Sequence, residues 1–233
     1  MKYVLPHKSH KSHESLSFDD YFDMVYYINL DRRPDRNENI LKIFNELNIN
    51  NYRRIEAIDG SAIEKEIKSL KYIVNNWLDK FKLHKTLMVR AWACKQSHMM
   101  CLNDALNNGY NCICIFEDDI KTRQNAHIDL NICFDWMSNN NWDLFYFDNV
   151  NCHRDVGKQV REIKGKVNAH SYCLNKALII KKLYNEHCRQ INTRNDHVLK
   201  NIRLKKFCYG DSVFLQNKRY TTDNDKPHTV FRI

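Results

Sequence analysis

The chain has 233 residues, 43% hydrophobic and 28% charged, enough for one α/β domain with a sizeable core. No run of about eighteen apolar residues occurs, which excludes a transmembrane helix. Lys and Arg number 37 against 28 Asp and Glu, and the resulting +9 favours anionic partners, whether nucleic acid, an acidic surface or a phosphorylated small molecule.

Residues 1–20 read as a polar, flexible tail rich in His, Lys and Ser, leaving 21–233 as one domain. The tail lacks the apolar core of a secretory signal, so a cytoplasmic location is expected. His7, His10 and His13 are spaced by three, which fits an unstructured tail better than a metal site. Met24 to Leu30 is a continuous apolar run, expected as a buried strand. Pro34 then suits the first turn of a helix that carries Ile40, Ile43, Phe44 and Leu47. Tyr52 to Ile58 is a second strand, closed by Asp59-Gly60. Ile63, Ile67, Leu70, Val74 and Trp77 repeat with helical spacing, and Asp79 to Arg90 reads as a surface loop.

Ala91 to Asn107 returns to helix, with Cys94, His98, Cys101, Leu102 and Ala105 on one face, and Asn108-Gly109 ends it. Cys112 to Phe116 is a buried strand that runs straight into Glu117-Asp118-Asp119. A helix over Asn125 to Met137, a strand over Asp143 to Asp148 and a long polar loop over Asn149 to Gly165 follow. Tyr172 to Leu174 is a short strand before a helix with Leu178, Leu183, Tyr184 and His187, and two last strands are expected near Phe207 and Val213. Alternating strands and helices imply an α/β fold, a mostly parallel sheet with helices on both faces. The nine cysteines match no zinc-site spacing and are expected as small buried hydrophobes in a reducing compartment.

The five glycines stand alone, so neither G-x-G-x-x-G nor a P-loop can be written. Nucleotide binding would then fall to carboxylates, a metal and basic side chains. Glu117-Asp118-Asp119 follows an apolar strand, at the sheet edge where ligands sit in open α/β folds. Three adjacent carboxylates repel one another unless a cation or strong donors neutralise them, and Mg2+ or Mn2+ suits such oxygens. An exposed acidic turn is the alternative. Arg32, Arg33 and Arg36, at a strand end and helix start, can grip phosphate or form a solvated basic turn. His98 lies on the apolar helix face, a usual place for a core histidine, and Ser97 beside it points elsewhere.

Taken together these segments resemble glycosyltransferase family 25. Tyr27 to Arg36 is similar to that family's first strand and turn, Ser97-His98 to its Ser-His pair, and Phe116 to Asp119 to its metal-binding acidic motif. Asp143 to Phe147, His170 to Leu174 with Ala177, Asn195 to His197 and Phe214 to Gln216 are similar to later landmarks. The order agrees from about Tyr26 to Asp223, although Ala91-Trp92-Ala93-Cys94 departs from a family glycine and Asn195 from a family proline.

The resemblance implies a GT-A-like, Rossmann-like fold and inverting transfer of a hexose from a UDP-sugar to a glycan or hydroxylysine, galactose ahead of glucose. It implies Mn2+ or Mg2+ on Glu117, Asp118 and Asp119. Asn29, Leu30, Arg32, Arg33, Arg36, Ser97, His98 and Asp118 become the expected nucleotide-sugar contacts. The base is expected at Asp196, with Asp148 as its rival. Two other readings carry different expectations: a non-catalytic scaffold or adhesion protein of the same fold, and a basic nucleic-acid binder. The second lacks a recognisable motif, so no nucleic-acid partner is expected.

Overall fold

The computed structural model describes residues 17–73, 84–149, 152–155, 159–165, 167–191 and 193–217. His7, His10, His13, Val74, Trp77 and Asp223 lie outside these residues. The chain opens with α1 (Phe18–Tyr21), started by a capping box in which Ser17 and Asp20 bond each other's backbone N–H. Phe18 is 1% exposed and packs against the rings of Phe22, Phe116, Phe134 and Phe147. Residues 17–20 are therefore part of the domain rather than of a tail; one buried aromatic anchors them.

Ten strands and six further helices follow among the described residues: β1 (Met24–Asn29), α2 (Pro34–Glu46), β2 (Tyr52–Glu56), α3 (Gly60–Ile73), α4 (His84–Asn107), β3 (Cys112–Glu117), β4 (Ile120–Thr122), α5 (Ala126–Asn139), β5 (Leu144–Tyr146), β6 (Cys152–Asp155), β7 (Val160–Ile163), β8 (Ser171–Asn175), α6 (Ala177–Arg189), α7 (Asn195–Asn201), β9 (Lys206–Tyr209) and β10 (Phe214–Gln216). Eight strands form one sheet in the order β2-β1-β3-β8-β5-β9-β7-β6. Only β8 and β7 run against the other six, so the sheet is mostly parallel as expected. The remaining pair, β4 and β10, makes a small antiparallel sheet beside the acidic triplet.

Side chains of a strand alternate between faces, and here both faces are covered. Val25, Tyr27, Cys114, Phe116, Phe145 and Phe147 face α1, α2 and α5. Met24, Tyr26, Ile28, Ile113, Ile115, Leu144 and Tyr146 face α4, α6 and α7. Burying each such large side chain stabilises the fold by roughly 1.5–3 kcal/mol. Gly60 is needed where α3 starts against α4, because a Cβ there would stand 2.7 Å from the Arg90 Cα.

Several expectations change. The loop expected over Asn149 to Gly165 contains the β6–β7 hairpin, paired to β9 at the sheet's far edge. Its charged residues hide a strand because an edge strand needs little apolar surface. Residues 84–90, expected as loop, belong to α4. On α6 the buried positions are Ile180, Leu183 and His187, whereas Leu178 is 74% exposed. Seven of the cysteines are free, but Cys208 is disulfide-bonded, so the expectation of a fully reduced set fails there.

Candidate functional site

Strands β1, β3 and β5 end on one edge of the sheet, and β8, running the other way, begins there. The edge thus receives Asn29, Glu117, Asp118, Asp119 and Asp148 from strand ends, and His170 and Ser171 from a strand start. A cavity of about 230 Å³ opens over it, between the β1–α2 turn, the start of α3 and the middle of α4. Leu30, Arg32, Arg36, Ser97, His98 and the acidic triplet all line it.

The triplet's three carboxylates have three different environments. Asp118 is 5% exposed, and both its oxygens are taken. Asn29 Nδ2 donates to Oδ2 at 2.6 Å and Arg36 Nη1 to Oδ1 at 3.1 Å. Arg36 is itself 4% exposed, so this is a buried ion pair reinforced by an amide. Asn29 is held in turn by Arg54, whose Nε and Nη2 donate to its Oδ1 at 3.1 and 2.9 Å. Burial raises the Asp118 pKa, while Arg36 and Asn29 pull it down.

Glu117 accepts a hydrogen bond from His98, with Nε2 at 3.1 Å from Oε1, and keeps 27% of its side chain exposed to the cleft. Burial opposes its ionisation, yet the His98 hydrogen bond, with the charges of His98, His170 and Arg36, holds its pKa below the usual carboxylate range. The His98 Nδ1 faces the Tyr172 hydroxyl at 3.1 Å, which fixes the ring. His98 is thus neither an idle core histidine nor a partner of Ser97. The Ser97 hydroxyl accepts from the Ile58 backbone N–H at 2.9 Å and donates to the Ala93 carbonyl, tying α4 to the end of β2.

Asp119 is 5% exposed. Its Oδ2 accepts from Gln216 Nε2 at 3.0 Å, while its Oδ1 is buried with no partner among the described residues. Burial first, then the charge of Glu117, pushes its pKa up to about 6. The small β4–β10 sheet brings Gln216 to this carboxylate, and the Asn217 N–H donates to the Asp119 carbonyl at 2.6 Å.

On the far side of the edge Asp148 is 3% exposed. Ser171 Oγ donates to its Oδ1 at 2.7 Å, and His170 Nε2 stands 2.8 Å from its Oδ2. Burial lowers the His170 pKa, but the Asp148 hydrogen bond and the charges of Asp148, Glu117 and Asp119 outweigh it and leave a net rise. Burial, then the charges of Asp148 and Asp196, raise the Tyr146 hydroxyl pKa far above its usual value. The Tyr146 hydroxyl and both polar atoms of the Asn195 side chain are buried without partners among the described residues.

The arginines divide. Arg32 Nε donates to Asp59 at 2.6 Å, and Asp59 also accepts from the Ser61 N–H at the start of α3. Arg33 pairs with Asp35 and is absent from the cavity lining, whereas Arg32 and Arg36 are in it. Asn29 lies beneath the cavity rather than in its wall, and Leu30 is in the wall. Sequence reasoning gave no site role to Cys94, Asp59 or Arg90, and named His170, Ser171 and Gln216 only within family landmarks. His170-Ser171 was visible before a short strand, but a fully buried strand does not reveal its direction, and only the reversed β8 delivers these residues to the edge. Cys94 and His98, four apart on one helix, were the available signal for a shared face.

The chain as a whole is similar to known proteins. The inactive glycosyltransferase 25 family member 3 of Homo sapiens is 28% identical over 156 residues, 65% of this chain and 26% of that protein. Its namesake from Mus musculus is 27% identical over 158 residues, with the same coverage of 65% and 26%. The chain thus spans about a quarter of the length of these curated relatives. A solved structure, described as a glycosyltransferase involved in the glycosylation of the major capsid of PBCV-1, overlays at a TM-score of 0.46 and 10% identity. It covers 85% of this chain and 93% of that one. Residues 22–190 match the model of glycosyltransferase family 25 (LPS biosynthesis protein), and the chain belongs to that family.

Proposed function

We propose that this chain is an inverting glycosyltransferase that moves a hexose, galactose ahead of glucose, from a UDP-sugar to a hydroxyl of a glycan or of hydroxylysine. The supporting observation is the unpartnered, buried Oδ1 of Asp119 beside Glu117 in a cleft whose wall also carries Arg32 and Arg36. A buried carboxylate oxygen without a donor is costly unless a cation reaches it. The residues therefore fit a divalent ion such as Mn2+ or Mg2+, held by Glu117 and Asp119. Such an ion, when bound, stabilises charge growing on the leaving diphosphate.

The protein's own groups do the rest. Arg36 is pinned by Asp118 and cannot swing away, so its guanidinium offers a fixed positive wall to the diphosphate. Arg32, braced by Asp59, does the same at the mouth of the cleft. Asp118 acts through Arg36 and Asn29 rather than as a metal ligand, because both its oxygens are occupied. Asp196, partly exposed in the first turn of α7, is the proposed base that takes the acceptor's proton. Asp148 is engaged by Ser171 and His170 and serves better to orient the His170 ring.

Thermal shifts with a panel of UDP-sugars, with and without Mn2+, test this reading. One UDP-sugar should stabilise the wild type only with metal, and Asp119→Ala should abolish both that shift and turnover while its own melting temperature stays close to wild type. Full turnover in Asp119→Ala sinks the assignment. A second reading, a non-catalytic member of the fold, is favoured by the relatives' printed names, which call those proteins inactive. It requires that no UDP-sugar be hydrolysed or transferred by the wild type with any divalent ion.

A further inference from the structure

We infer that Cys94, His98 and Glu117 form a binding site for a thiophilic divalent cation, Zn2+ in the first place, which shares Glu117 with the proposed all-oxygen site but does not use Asp119. One ligand atom from each residue lies within 4.8 Å of the other two. The Cys94 Sγ is 3.9 Å and the His98 Nε2 3.1 Å from the same Glu117 oxygen, Oε1. Ligand atoms around a tetrahedral zinc stand roughly 3.3–3.6 Å apart, so small side-chain movements complete the set.

The elements make the cluster rigid. Cys94 and His98 are four residues apart on α4 and so project from one face of that helix, while Glu117 is the last residue of β3. Tyr172 holds the His98 Nδ1 edge at 3.1 Å, leaving Nε2 to aim at Glu117. Such an outer partner is what orients a metal-binding imidazole. Cys94 is a free cysteine. All three residues line the cavity, so a cation held by them keeps a fourth position open to it. A sulfur–nitrogen–oxygen set selects zinc over Mg2+ or Mn2+, which prefer oxygen alone. On binding, the Cys94 S–H bond is exchanged for an S–metal bond and its proton leaves to solvent, while His98 gives up its Nε2 proton and keeps the Nδ1–H tautomer, donating to the Tyr172 hydroxyl.

The inference does not rest on the glycosyltransferase reading, and its zinc measurements use no sugar. Zn2+ affinity of the whole chain is measured by competition with a chromophoric chelator, and Co2+ is added as a spectroscopic substitute. Wild type should bind one Zn2+ in the presence of excess Mg2+, and the Co2+ form should show a thiolate-to-cobalt charge-transfer band. Cys94→Ser should remove the band, and both Cys94→Ser and His98→Gln should weaken Zn2+ by at least about tenfold, with Cys188→Ser as a surface-thiol control. Asp119→Ala, which removes none of the three ligands, should weaken Zn2+ much less than Cys94→Ser or His98→Gln while abolishing the metal-dependent UDP-sugar shift. X-ray absorption of the wild-type zinc complex, which needs no variant to fold, should show one sulfur among light-atom neighbours. A zinc without sulfur, or an affinity indifferent to Cys94 and His98, overturns the inference.

Discussion

The two ends of the ligand edge are built on opposite plans. At the β1–β3 end both side-chain oxygens of Asp118 are matched: Asn29 and Arg36 occupy them, and Arg54 holds Asn29 in turn. At the β5–α7 end the Tyr146 hydroxyl and the Asn195 amide are buried with no protein partner among the described residues. The Asp118 cluster is finished before any ligand arrives and serves as a frame. The second end keeps hydrogen-bonding capacity in reserve, where a buried unmet group costs about 1–3 kcal/mol. Framework and open hydrogen-bonding capacity thus sit side by side along the end of a single sheet.

The largest test of that contrast is Asp118→Ala. It leaves the buried Arg36 cation without this partner, and stability should fall by ~3–5 kcal/mol in chemical denaturation. Asp119→Ala, one residue along, gives up only the Gln216 bond and should cost within ~1 kcal/mol. Equal losses from the two would erase the distinction between frame and site.

A middle-sized effect is expected in the helix layer behind the edge. His187 is 1% exposed with both ring nitrogens unpartnered among the described residues. Burial, then the nearby His98 and Lys95 charges, lowers its pKa from 6.5 to about 3. The folded state therefore holds this proton less tightly than the unfolded chain, and stability falls as pH drops from 6.5 towards 3. Near pH 5 the penalty is ~2 kcal/mol, which His187→Leu should remove while changing stability at neutral pH by less than ~1 kcal/mol. Parallel pH–stability curves for the two proteins would show that His187 is already matched.

The smallest effect belongs to Tyr146→Phe. Removing a hydroxyl that has no partner should leave the ligand-free protein as stable as before or up to ~1 kcal/mol more stable. A clear destabilisation in thermal melts would mean that this corner is as saturated as the one around Asp118.

Much of this was legible in the sequence for a simple reason: fully buried strands need unbroken apolar runs. Met24 to Leu30 and Cys112 to Phe116 became β1 and β3, and the triplet's place after β3 followed directly. The rest depended on partners distant in the chain. Arg36 read as a surface phosphate grip, whereas its burial is set by Asp118, 82 positions away. The three residues of β4 gave no period, and they are a strand only because β10 pairs with them. The hairpin β6–β7 carries Arg154, Asp155, Arg161 and Glu162, a polar pattern that matches loop and edge strand equally well.

The reversed strand β8 has a consequence for how the chain assembles. Strands β3 and β5 come early and close together in sequence, but in the sheet they are not neighbours, because β8 stands between them. Glu117 and Asp148 are therefore joined into one edge only after residues 171–175 have been made and inserted. During synthesis the half bearing β1, β2 and β3 can form first, by parallel pairings already in hand, while the half bearing β5 waits. The edge that holds the candidate site is thus completed late, by the strand that also carries His170, Ser171 and Tyr172 into it.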